Sequence, residues 1–143
     1  MAYRAEYLWI DGTEPTREIR SKTKILADGD EPGIWGYDGS STNQASGENS
    51  DVVIRPVFQC PDPIRGGNNI LVLCETLLPD NFAPHPTNTR AEAVAALEKY
   101  ADQEPIFGLE QEYTLVNPST RWPAGFPNNG FPAPQGASYC GVG

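Results

Sequence analysis

The sequence predicts a small α+β domain, followed by the opening of a second structural unit. Three observations carry this reading. Four short segments before residue 76 show period-two apolar patterning or runs of β-branched residues, one later segment shows helical periodicity behind a helix-start signature, and Gly- and Pro-rich stretches separate them.

Residues 4–10 form the first expected strand, because Ala5, Tyr7 and Trp9 alternate with Glu6, Leu8 and Ile10. Asp11-Gly12 then supplies a turn signal that favours a hairpin. A second strand is expected over Glu18 to Leu26, with Ile19, Ser21, Thr23 and Ile25 on one face and mostly charged residues on the other. Asp51 to Phe58 is rich in β-branched residues and is closed by Pro61-Asp-Pro63. Ile70 to Glu75 is a short apolar run, the pattern of a strand covered on both faces. Between the second and third strands lies a polar stretch, Asp28 to Asp51, with six acidic residues and no basic one. So long a loop inside a compact domain is usually functional or disordered.

One helix is expected. Thr89-Arg-Ala-Glu92 matches a capping box, and Ala91, Val94, Ala95, Leu97 and Tyr100 follow at helical spacing. The first domain is thus expected to span residues 1–102 and a further unit residues 103–143. After Pro105 a new strand is expected, Ile106 to Val116. The last stretch, Trp122 to Gly143, has no charged residue, five Gly, four Pro and the aromatics Trp122, Phe126, Phe131 and Tyr139. It is too irregular to build a core and too aromatic for a solvated linker. It is expected to pack on further structure, and the chain reads as truncated.

The 143 residues carry 19 acidic and 10 basic side chains, a formal charge of −9. This balance argues against a nucleic-acid surface, which needs clustered Lys and Arg. No apolar run approaches the ~18 residues of a membrane span, and the opening residues lack the apolar region of a signal peptide. Cys60, Cys74 and Cys140 are odd in number and lack Cys-x-x-Cys spacing, so neither a disulfide framework nor a zinc site is expected. A soluble cytoplasmic protein is the expectation, with no nucleic-acid or membrane partner.

The sharpest chemical constellation is Gly108-Leu-Glu110-Gln-Glu112-Tyr113. On a strand, Glu110 and Glu112 share one face with Cα atoms roughly 6.5–7 Å apart. Paired carboxylates repel unless a cation lies between or beside them, and hard cations such as Mg²⁺ and Mn²⁺ prefer oxygen ligands. Spacing alone leaves two readings open, a cation site and the solvated face of an edge strand. Asp38-Gly-Ser-Ser-Thr42 likewise reads either as a turn closed by side-chain-to-backbone hydrogen bonds or as a recognition loop presenting Asp38 and Ser41 to a polar ligand or small cation. His85, between two prolines, reads as a loop residue. No phosphate-binding loop, dinucleotide fingerprint or nucleophile elbow is present.

Taken together, Tyr7-Leu-Trp-Ile-Asp-Gly-Thr13, Asp38-Gly-Ser-Ser-Thr42, Gly47-Glu-Asn-Ser-Asp51, Leu71-Val-Leu-Cys-Glu75, Phe107-Gly-Leu-Glu-Gln-Glu-Tyr-Thr114 and the segment from Gly125-Phe-Pro through Pro134-Gln-Gly to Tyr139-Cys-Gly-Val-Gly143 closely resemble glutamine synthetase. The resemblance is to the shorter type found in eukaryotes and actinobacteria. It runs over essentially the whole chain.

The resemblance implies an N-terminal β-grasp domain followed by the first strand and loop of an incomplete catalytic domain. It implies ATP-dependent ligation of ammonia to L-glutamate through γ-glutamyl phosphate, with Mg²⁺ or Mn²⁺. Carried over by motif, Glu110 resembles a ligand of the ion on the nucleotide phosphates, and Glu112 a ligand of the ion nearer glutamate. Asp38 resembles the aspartate that binds ammonium and helps remove its proton, and Ser41 its neighbour in that loop. The family's loop completes the site of the adjoining subunit within stacked homo-oligomeric rings. Further metal ligands and ATP-binding arginines lie in a part of the family absent here, so this piece alone is expected to be inactive. A different class also fits a β-grasp domain, a non-catalytic interaction module that binds full-length synthetase.

Overall fold

The computed structural model describes residues 2–141; Val142 and Gly143, which end the motif beginning at Tyr139, lie outside them. The chain divides into two compact units, Met1–Gln103 and Glu104–Gly143.

The first unit is built on a five-stranded mixed sheet. Its strands are β1 (Ala2–Ile10), β2 (Ile19–Ala27), β3 (Trp35–Asp38), β4 (Asp51–Pro61) and β5 (Ile70–Leu77), in the spatial order β2-β1-β5-β4-β3. β1 pairs antiparallel with β2, from Ala2 opposite Ala27 to Ile10 opposite Ile19. It pairs parallel with β5, Tyr7 facing Val72. β4 runs antiparallel to both β5 and β3. The register between β4 and β5 shifts at Pro56/Phe58. Proline lacks the N–H that a regular ladder needs, so a bulge beside it is where it does least harm.

The alternation expected along β1 is present, and one of its two faces makes the core. Ala5, Tyr7 and Trp9 are buried and pack with Leu26, Ile54, Val72 and Cys74, flanked by Tyr3, Trp35, Tyr37 and Ile70. Edge-to-face contact between Tyr7 and Trp35, centroids 5.2 Å apart, adds to the area buried. The hydroxyl of Tyr7 reaches the carbonyl of Gly33, and that of Tyr3 the carbonyl of Asp30.

Several elements depart from the sequence expectation. β3 falls inside the stretch expected to be loop; four residues with a glycine at the second position give too short an alternation to read. On β2 the isoleucines face out, with Ile19 at 72% and Ile25 at 63% exposure. The cross-strand partners of Ala5, Tyr7 and Trp9 are Lys24, Lys22 and Arg20, so the charged face is the one that borders the core. Lys22 does this with its ammonium group, which sits 3.5 Å over the Trp35 ring as a cation–π contact. β5 is covered on both faces only in part, since Val72 and Cys74 are buried but Leu73 on the opposite face is 39% exposed.

The hairpin expected at Asp11-Gly12 exists as a strand pair, but its connection runs from Asp11 to Glu18. Asp11 is fully buried and organises that connection. Its carboxylate accepts from the amides of Thr13 and Glu18, each at 2.9 Å, from the Thr13 hydroxyl at 2.8 Å and from Arg20 Nε at 2.9 Å. Gly12 is required by close approach. A Cβ there would stand 2.2 Å from the backbone oxygen of Asn43, whose neighbour Thr42 accepts the Gly12 amide at 2.9 Å.

The helix α1 covers Thr89–Lys99, but the expected capping box at Thr89 does not form. Asn88 is the cap, and its Oδ1 accepts from the Ala91 amide at 3.2 Å. Its own amide donates to the carbonyl of Thr76 at 3.0 Å and to Glu75 Oε2 at 3.4 Å. A cap tied to β5 wins over one held only by its own helix. None of the helical residues is buried, so the expected apolar face remains open, with Leu97 at 43% exposure.

In the second unit the strand expected over Ile106 to Val116 is absent. Residues 106–113 have no strand partner among the described residues, and only isolated bridges join Thr114 to Tyr139 and Val116 to Pro123. A strand exists through its ladder bonds. Without a continuous neighbour the apolar alternation leaves Ile106, Phe107 and Leu109 exposed. The aromatic tail folds back on this segment: the Leu115 amide donates to Ser138, the Cys140 amide to Tyr113 and the Ala124 amide to Leu115.

Candidate active site

The candidate residues fall in two groups, one in each unit. In the first, β3 ends at Asp38 and the chain turns into one 3-10 turn, Gly39–Thr42. Asp38 caps it: Oδ1 accepts from the Ser40 amide at 3.0 Å and from the Ser40 hydroxyl at 2.6 Å. Ser41 Oγ donates to the Asp38 carbonyl at 2.8 Å. The turn reading and the presentation reading therefore hold together, because the bonds that close the turn leave Asp38 exposed at its edge. Hydrogen bonds from the Ser40 hydroxyl and amide hold the Asp38 carboxyl below its ordinary pKa, so it is anionic at neutral pH.

Asp38 and Ser41 share the wall of one open cavity with Trp9, Arg20, Lys22, Tyr37 and Thr42. The cations beside the aspartate already have partners. Arg20 is bonded to Asp11, and Lys22 Nζ donates to the Gly36 carbonyl at 2.8 Å. Asp38 thus lines the cavity as a carboxylate that forms no salt bridge among the described residues. Arg20, Lys22 and Tyr37 as cavity walls were not singled out from the sequence. The available signal was the charged period-two face of β2.

Glu110 and Glu112 lie in the second unit, in the segment without strand structure, so the alternation that would put both on one face is not formed. The structure gives Glu112 a partner that spacing could not reveal: Tyr139 donates its hydroxyl to Glu112 Oε2 at 2.6 Å, across 27 residues. That bond, with desolvation second, pushes the Tyr139 phenol up to about 12. Exchange of Glu112 for glutamine is expected to bring the Tyr139 ionisation back toward the ordinary tyrosine range, read by phenolate absorbance in a pH titration.

The donor chemistry of the two glutamates suits Mg²⁺ or Mn²⁺, both of which prefer hard oxygen ligands. Among the described residues, no cluster of three or more metal-ligating side chains exists. Each glutamate could thus supply oxygen donors to such an ion, without a closed shell among the described residues. His85, expected to be a loop residue, is in a loop but buried. Its Nε2 meets the Gln44 carbonyl at 2.7 Å, and its Nδ1 meets the Thr87 hydroxyl at 2.9 Å. Both nitrogens are committed within the fold. The three cysteines are unpaired, and burial pushes the Cys74 thiol up to about 12, which makes it a packing residue.

The chain is similar to known proteins along its whole length. Residues 2–79 match the family described as "Glutamine synthetase, beta-Grasp domain". Over the full chain the sequence is 64% identical to a glutamine synthetase of Frankia alni, covering 40% of that protein. It is 60% identical to one of Streptomyces viridochromogenes, covering 42% of it. Over 97% of the chain it is 53% identical to one of Neurospora crassa, covering 39% of it. The chain thus spans about 40% of the length of these curated relatives. With its mixed sheet, its Asp38 turn and a family match over most of that sheet, the chain belongs to the glutamine synthetase family and carries that family's β-grasp domain.

Proposed function

We propose that this chain serves as the N-terminal part of a glutamine synthetase, which joins ammonia to L-glutamate at the expense of ATP. On this reading residues 1–102 are the β-grasp domain and residues 103–143 open the catalytic domain. The observation that carries it is the intact carboxylate set: Asp38, held ionised on a rigid turn, and the Glu110 and Glu112 pair. A module that served only to bind a partner has no need of all three.

In the reaction, a γ-carboxylate oxygen of glutamate attacks the γ-phosphorus of ATP and ADP leaves, giving γ-glutamyl phosphate. Ammonia then attacks the activated carbonyl carbon and phosphate leaves. At neutral pH ammonia arrives as ammonium, which an anionic Asp38 attracts and whose proton it accepts, a general-base role. Ser41 lies beside it on the same turn and limits where the ammonium can sit. Glu110 would help hold the divalent ion on the nucleotide phosphates, and Glu112 the ion nearer glutamate. Such ions, when bound, neutralise the charge on the transferring phosphoryl group. Tyr139 steadies the Glu112 carboxylate through its hydroxyl.

The Asp38 turn of one subunit would complete the site of the next in a homo-oligomeric ring, and these 143 residues alone, about 40% of the relatives' length, would not turn over. No helix among the described residues is long and apolar enough to cross a membrane, and the three unpaired cysteines support a reducing cytoplasmic setting. The test is phosphate release by the full-length protein that requires glutamate, ammonia and ATP together and yields glutamine. ATP hydrolysis indifferent to glutamate and ammonia would point to another activity.

A further inference from the structure

The turn that presents Asp38 has two ends, and they are held differently. At the entry, β3 is paired with β4, Asp38 stands opposite Asp51, and the Gly39 amide donates to the Ser50 carbonyl at 2.6 Å. At the exit no strand follows. There the chain is held by Gln44, two residues past the turn and only 7% exposed.

A primary amide has two acceptor and two donor positions, and Gln44 engages all four, sharing the single Thr42 hydroxyl proton with the Gly39 carbonyl, 3.1 Å from that hydroxyl. Its Oε1 accepts from the Tyr37 hydroxyl at 2.5 Å and the Thr42 hydroxyl at 2.9 Å. Its Nε2 donates to the Ile10 carbonyl at 3.2 Å and to Thr87 Oγ1 at 2.8 Å. Its backbone joins in, the amide donating to the Gly39 carbonyl at 2.9 Å and the carbonyl accepting from His85 Nε2 at 2.7 Å. One side chain thus ties the end of β1, the end of β3, the turn itself and the segment 85–87.

The bond directions are fixed by chemistry. Having accepted from Gln44, the Thr87 hydroxyl has its proton to give, and it gives it to His85 Nδ1 at 2.9 Å. The Thr87 amide also donates to Nδ1, at 3.2 Å. Nδ1 of His85 is therefore the acceptor, and Nε2–H donates to the Gln44 carbonyl. An apolar side chain could fill this space. A buried amide is tolerated only when fully bonded, and then it specifies one arrangement.

We propose that Gln44 is a positioning residue for Asp38, with Thr87 and His85 as its backing, so that the turn Gly39–Thr42 presents Asp38 and Ser41 in a single geometry. This rests on the reading of Asp38 as the group that receives the ammonium proton.

The test compares Thr87→Val and Thr87→Ser in the full-length protein, with amide hydrogen exchange of residues 39–45 as a readout independent of activity. Valine keeps the shape of threonine and removes both the acceptor for Gln44 and the donor to His85; serine restores them. The expected result for valine is faster exchange at the turn and a KM for ammonia raised about tenfold, the scale of one lost buried hydrogen bond, with the KM for ATP and glutamate unchanged and serine close to wild type. Gln44→Glu, which keeps the acceptors for Tyr37 and Thr42 and loses both donors, serves if valine does not fold, with the same expectation. Unchanged exchange at residues 39–45, or an equal loss toward all three substrates, overturns the proposal. Asp38→Asn measured in parallel separates the two claims: if it leaves ammonia use intact, the reading of Asp38 fails, while the exchange rates still decide the role of Gln44.

Discussion

Exchanging Asp38 for asparagine is expected to lower the rate of glutamine formation by the full-length protein by about 10²–10⁴-fold, the usual range for removal of a general base. Asparagine has the same shape, and its oxygen can still accept from the Ser40 amide and hydroxyl, so the turn should persist. What is lost is the negative charge that attracts ammonium and the lone pair that takes its proton. The KM for ATP should be unchanged, because that substrate has no use for this carboxylate. The pH dependence follows from the same contacts. The Ser40 bonds lower the Asp38 pKa, so the base stays ionised throughout the neutral range and is lost only on acidification below the ordinary aspartate value. A steady-state assay over ammonia concentration checks both points. Full activity in the variant would remove Asp38 from the mechanism.

Exchanging Asp11 for alanine is expected to destabilise the first unit by about 3 kcal/mol or more, since several donors lose their acceptor inside the protein. The amides of Thr13 and Glu18 cannot turn to water without opening the β1–β2 connection, and Arg20 would lose its best partner. Urea denaturation of the chain and its variant measures the difference. The acid limb carries a second signature. Burial by itself would raise the Asp11 pKa, but the bonds from Glu18, Thr13 and Arg20 outweigh it and hold the carboxyl well below the usual range. A depressed folded pKa contributes stability that is present above the unfolded value of about 3.9 and lost as pH falls through the folded one. The alanine variant should therefore be less stable at neutral pH and lose less on acidification. Equal slopes in the two proteins would mean that Asp11 does not stabilise through its charge.

Both residues could be located from the sequence, but with different completeness. Asp38 sits in a local motif whose bonds span two or three residues, so its turn could be read directly. Asp11 was legible only as a turn signal, because the burial of its carboxylate depends on Arg20 arriving from the neighbouring strand. The same division runs through the fold. Alternation in β1 is a property of consecutive residues and marked the strand, though not which of its faces is buried. The face of β2 that borders the core was hidden, since lysine reads as polar while the Lys22 ammonium group lies over the Trp35 ring. β3 was too short to show a period.

Contacts of long sequence separation account for the rest. Asn88 displaces Thr89 as helix cap through bonds to Glu75 and Thr76 on β5. Gln44 reaches partners 34 and 43 residues away, and nothing in its own neighbourhood announces that. The strand expected around Glu110 and Glu112 failed for the complementary reason: its residues alternate correctly, but alternation does not supply a neighbour to pair with. The proposed role of these two glutamates as cation ligands rests on the resemblance to glutamine synthetase and not on their spacing.

The most direct measurement is phosphate release by the full-length protein in the presence of glutamate, ammonia and ATP, made beside its Glu112→Ala variant. The account predicts release that needs all three substrates, matches glutamine mole for mole and is abolished in the variant. Release that survives the loss of Glu112, or that proceeds without glutamate or ammonia, would contradict it.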